Sequence, residues 1–139
     1  MKNRNPLTKH ALLFAVLLTF GAATARANVL PLASISFAPV GLTMDQTARL
    51  NLVNVGVPNG MLIHWSFIDA NGFPIAGSTE TLPLGQIVSF DFRRHGDPQL
   101  RAEVRAQVDT FTSGSLRASL EVFNNHTGAT TVFMGGATP

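Results

Sequence analysis

His64, His95 and His126 are equally spaced along the chain, and three imidazoles can hold a zinc or copper ion. Their contexts argue for something plainer. Ile-His-Trp, Arg-His-Gly and Asn-His-Thr share nothing, and no pair has the short spacing that puts two ligands on one strand or turn. Ordinary surface histidines are expected, with no metal and no other cofactor. The eight carboxylates are spread over turns and outward strand positions, so no two stand out as a glycosidase acid–base pair. There is neither a Gly-x-Ser-x-Gly elbow nor an Asp-x-Asp run that would gather oxygens around calcium. The chain has no cysteine, which excludes thiol catalysis, disulfides, Cys-based zinc and blue copper. No catalytic residue is assigned, and the expectation is a protein that is not an enzyme.

Four further features need weighing. Trp65 is the only Trp and there is no Tyr, a thin basis for stacking sugars. Its neighbours Met61, Ile63 and Phe67 favour a place in the core. Arg93-Arg94-His95 is the one local basic cluster, and Asp91 and Asp97 lie close enough to balance it, so a solvated loop is preferred over an anion site. Asn125-His126-Thr127 fits a glycosylation sequon, a pattern short enough to arise by chance. Phe123 and Phe133 flank a turn, and Phe123 is out of phase with the inward residues before it. If both face solvent, they form an apolar patch beside a sheet edge that could add a partner's strand or pack on another subunit. The favoured expectation is that the strand bends and both rings close the bottom of the core.

The elements that carry these residues all read as strands. Alternating or β-branched runs are broken by Gly, Pro, Asn and Asp about every ten residues, the pattern of an all-β sandwich or barrel. Strands are expected at 34–40, 47–55, 61–69, 73–79, 87–92, 100–108, 115–123 and 130–134, seven or eight in all. Leu100, Ala102, Val104, Ala106 and Val108 share one face; Leu116, Ala118, Leu120 and Val122 share another. These two strands are expected to be hairpin neighbours around residues 110–114, with outer charges paired across them. Pro74 is expected to interrupt a short edge strand. Asn71-Gly72 signals a tight hairpin, since both residues tolerate positive φ.

Gly41-Leu42-Thr43-Met44-Asp45-Gln46 and Leu82-Pro83-Leu84-Gly85-Gln86 each lead into a strand, and the first of these strands ends in Asn54-Val55-Gly56. With the Phe67-x-Asp69-x-x-Gly72 hairpin, this resembles bacterial secreted immunoglobulin-like domains over residues 34–134. The first copy has Met-Asp where Pro-Gly is usual. The resemblance implies a sandwich fold and carries no activity with it.

Residues 1–27 read as a secretory signal peptide. Lys2, Arg4 and Lys9 precede the apolar run 11–23, and Ala25-Arg26-Ala27 offers a cleavage site. The run is shorter than the ~20 residues a membrane span needs. Cleavage would remove every lysine and leave six arginines against eight carboxylates, a formal charge of −2. No basic patch for nucleic acid or anionic lipid would survive. Residues 28–139 are then expected to form one immunoglobulin-like antiparallel β-sandwich, ordered over about 34–134. It would be periplasmic or extracellular, with no membrane anchor after cleavage and no nucleic-acid partner. The function expected is a non-catalytic binding or structural module, acting through sheet edges and loops on another protein or a cell-surface polymer. The alternatives are a subunit or accessory of a pilus- or adhesin-like surface assembly and, after that, a small secreted hydrolase or metal-binding protein.

Overall fold

The computed structural model describes residues 30–94 and 100–138. The expected leader, His95 and Asp97 lie outside the described residues. Nine strands and no helix are found there: β1 (Ala33–Ser36), β2 (Val40–Leu42), β3 (Gln46–Asn54), β4 (Met61–Asp69), β5 (Pro74–Leu82), β6 (Ile87–Arg93), β7 (Ala102–Thr110), β8 (Leu116–Asn124) and β9 (Thr130–Ala137). They form two antiparallel sheets. Sheet I has the order β1-β7-β4-β5, with β2 also on β7; sheet II has the order β6-β3-β8-β9.

Period-two alternation supplies the core, as the sequence suggests. Leu50 and Leu52 from β3, Met61, Ile63 and Phe67 from β4, Val104 and Val108 from β7, and Leu116, Leu120 and Val122 from β8 are all fully buried. Each such side chain contributes about 1.5–3 kcal/mol by leaving water. The interior is one continuous apolar cluster, with Ile35 and Phe37 closing the β1 side.

The expected pairing of the two best-patterned strands does not occur. β7 lies in sheet I between β1 and β4, and β8 lies in sheet II between β3 and β9. Alternation says which face of a strand is buried, but both sheets bury a face against the same core, so it cannot say which strand is the neighbour. The connection 111–115 decides the matter by crossing between sheets. The Phe111 N–H donates to the Leu62 carbonyl (3.0 Å), and the Leu62 N–H donates to Thr112 Oγ1 (3.1 Å). The chain then reaches β3, where the Val55 N–H donates to the Ser115 carbonyl (3.0 Å). Gly114 (φ 147°) passes so close that a Cβ there would lie 2.2 Å from Val57 Cγ2. The outer charges of β8 therefore face β3, with Glu121 opposite Arg49.

Smaller departures have local causes. Pro74 begins β5 and does not interrupt it, since the first residue of an edge strand can lack an N–H. Leu100 is exposed and precedes β7. The β4–β5 turn uses positive φ only at Gly72, because the Asp69 carboxylate captures the Asn71 and Phe73 N–H groups (2.9 Å each) and shapes a longer turn. β9 runs on through Gly135 and Gly136 to Ala137, past the expected end at residue 134.

One end of the sandwich is tied together by Asn54. This side chain is fully buried, and its Oδ1 accepts from the Gly56 and Val57 N–H groups (3.1 and 2.8 Å). Its Nδ2 donates to the Val57 carbonyl (2.8 Å) and to the Leu82 carbonyl (3.1 Å), the latter in sheet I. Its own carbonyl accepts from the Gly85 N–H (2.9 Å). The β3–β4 and β5–β6 connections are thus fastened to one amide, which is the physical content of the Asn-x-Gly ending.

Candidate interaction surface

Of the three histidines weighed as metal ligands, the two described, His64 and His126, belong to different sheets. The His64 ring Nδ1 lies 3.0 Å from Thr79 Oγ1 on the outer side of sheet I. His126 pairs with Asp45 at 3.0 Å, both well exposed, between the β8–β9 turn and the start of β3. No group of three metal-binding side chains exists among the described residues. Asp69, Glu103 and Arg105 line an open groove of about 420 Å³ with Pro39 and Ile68. The Asp69 carboxylate already organises the β4–β5 turn there.

Trp65 packs against the core but is only partly buried. Its ring stacks on Phe90 of β6 (centroids 4.1 Å apart, 19° between planes) and meets Phe67 edge-on at 6.0 Å. Its indole N–H donates to Glu80 Oε1 (3.3 Å). A ring stacked on a core Phe and tethered by its N–H is positioned to join the sheets.

The basic cluster is built differently from the self-balancing loop expected. Asp91 is held by Arg49 on the adjacent strand, Nε to Oδ1 at 2.7 Å and Nη2 to Oδ2 at 2.8 Å. The Arg49 pKa is raised, chiefly by this hydrogen bond against a smaller opposing effect of burial. Arg94 is buried, so it is not part of a solvated loop.

Phe123 and Phe133 both leave the core, contrary to the favoured expectation. The register Thr47↔Phe123 and Glu121↔Phe133 puts both rings among the outward residues of sheet II. The Arg49 guanidinium lies over the Phe123 ring at 4.9 Å, leaving that ring half-buried. Phe133 is 68% exposed. The outward positions of β8 continue unbroken to residue 123, so no bend returns the ring to the interior; the register shift comes after Val122 and only offsets β9. Apolar side chains with little cover lie on or beside outer strands: Phe133 on β9, Ile87 (73% exposed) on β6, Phe73 (67%) and Ile75 at β5, and Leu32 (64%) beside β1.

Sequence reading found the Phe pair and the use of sheet edges, and missed the reach of Asn54, the Arg49–Asp91 bridge and which edge carries least charge. An uncharged terminal strand, Thr130–Ala137, was the available signal for the last of these. Comparison with protein-family models, curated proteins and solved structures gives no match, so the geometry of the molecule carries the functional reading.

Proposed function

We propose that this chain is an exported, non-catalytic module with an immunoglobulin-like sandwich, working by contact with another protein or a surface polymer. The observation that supports it most is the placing of apolar side chains. Phe73, Ile75, Ile87 and Phe133 are exposed, and all four border strands that, among the described residues, have one free edge. A free edge offers unpaired backbone donors and acceptors, and a neighbouring apolar side chain adds area once a partner strand docks. Residues 1–27 would direct export and be removed, leaving residues 28–139 as the working protein.

Two measurements test this reading. The intact mass of protein recovered from the periplasm or medium should correspond to cleavage after Ala27; a retained leader would contradict export. Purified protein should bind isolated envelope material, and Phe73→Ser or Phe133→Ser should weaken the binding. Variants that bind as well as the parent would remove the edges from the account.

A further inference from the structure

We propose that two copies of this chain join through β9, antiparallel about a twofold axis at Met134, so that sheet II continues from one copy into the other. This rests on the edge-binding reading above and names the edge and the partner.

Among the described residues four strand edges are open to a neighbour; three carry charge or proline, which discourage pairing, and β9 carries only a register shift near its start. The β1/β2 edge is broken at 37–39, with Pro39 in the gap. β5 opens with Pro74 and contains Glu80. β6 contains Asp91 and Arg93. β9 reads Thr-Thr-Val-Phe-Met-Gly-Gly-Ala, with neither charge nor proline. Natural sheets guard their edges with such residues, and their lack marks a strand suited to pairing.

The backbone of β9 is oriented for it. The Thr138 N–H donates to the Leu116 carbonyl of β8 at 2.9 Å. In an antiparallel pair the inward-turned backbone groups recur every second residue, so residues 136, 134 and 132 address β8. The N–H and C=O groups of Ala137, Gly135 and Phe133 then point away from it, to a side where β9 has no partner strand among the described residues.

The side chains select a second copy over an unrelated strand. A twofold axis at Met134 places Phe133 opposite Gly135 of the other copy and Val132 opposite Gly136, the regular part of β9 ending at Val132, before the register shift. In both pairs a large residue meets a small one, Met134 meets its own copy on the axis, and the hydrogen-bonding groups of 133 and 135 face each other. Gly135 has open space where a Cβ would stand, and beyond it in the sheet lies Ser119. The exposed Phe133 ring would lie across that strip of small residues, covering a glycine gap as aromatic residues do between strands. An isologous contact requires this self-complementarity, and an uncharged strand meets its own copy without like-charge repulsion. A strip one strand wide predicts affinity on the order of micromolar.

The test uses the natural absence of cysteine. Met134→Cys puts a thiol on the axis at a non-hydrogen-bonded position, where facing Cα atoms lie about 4.5 Å apart, within disulfide range. Oxidation should give a covalent dimer, whereas Val132→Cys should give none. Sedimentation equilibrium of the unmodified protein up to about 1 mM should show a monomer–dimer equilibrium. Phe133→Lys and Gly135→Lys should each weaken it at least about tenfold, with unchanged circular dichroism. Amide exchange at Phe133 and Gly135 should slow as concentration rises, while that at Met134 stays constant; this readout needs no variant. A protein monomeric over the whole range overturns the proposal, as does association that Met134→Cys fails to trap. Either result leaves the wider reading standing if envelope binding still depends on the other edges.

Discussion

Asn54 and Asn124 close two nine-residue strands, β3 and β8, that lie side by side and run in opposite directions, so they sit at opposite ends of sheet II. Both do the same local work. Asn54 Oδ1 takes the N–H groups of residues 56 and 57, and Asn124 Oδ1 takes those of residues 126 and 127 (2.9 and 3.0 Å). The difference is in what lies beyond. Asn54 is fully buried and its amide reaches a carbonyl of the other sheet, whereas Asn124 shapes a hairpin that stays within sheet II. One motif is a fastening between layers and the other a turn.

Asn54→Ala tests the contrast most severely. It strands two N–H groups and two carbonyls near the core, and unfolding free energy should fall by about 3 kcal/mol in a urea titration. A loss no larger than that of an exposed cap would break the comparison. Asn54→Asp sharpens it, since the acceptor remains and the Nδ2 donor is lost. A decrease of about 2 kcal/mol or more is expected, because a charge is also being buried. Gly114→Ala perturbs the same end by another route, setting a methyl against Val57 in a backbone region that suits glycine. Its melting temperature should drop by several degrees, corresponding to about 1–3 kcal/mol. At the far end, Asn124→Ala should cost only about 1 kcal/mol, because water can replace its side chain at the exposed turn. Smallest is Arg49→Ala, about 0.5 kcal/mol, since the Asp91 bridge is substantially exposed. The raised Arg49 pKa means that arginine protonation contributes fully below its ordinary value and is lost as the pH becomes strongly alkaline. No change in melting temperature near neutrality should therefore arise from Arg49.

Which residues face inward was legible along almost the whole chain, because alternation is a local property. Leu50, Val104 and Leu120 could be placed without knowing a single neighbour. Pairing was not legible, as the separation of β7 from β8 demonstrates, because residues 111–115 carry no pattern that distinguishes a hairpin from a crossing. Asn54 read as a strand terminator; its reach to Leu82 depends on three connections that meet only after folding. The outer position of Phe123 was visible as a break in phase, and the expectation of a bend came from the general need of small cores for aromatic volume.

The interleaved strand order has a kinetic consequence. β3 is the first strand of sheet II in chain order, yet its neighbours are β6 and β8, so a chain emerging from its N-terminus must carry β3 unpartnered until residues 87–93 have followed, and with one side open until residues 116–124 have. Neither layer can be completed from an early fragment, and loop closure precedes most of the reward. Folding should therefore be slow, late and nearly all-or-none, and for much of its synthesis the nascent chain should depend on whatever keeps exposed strands from one another.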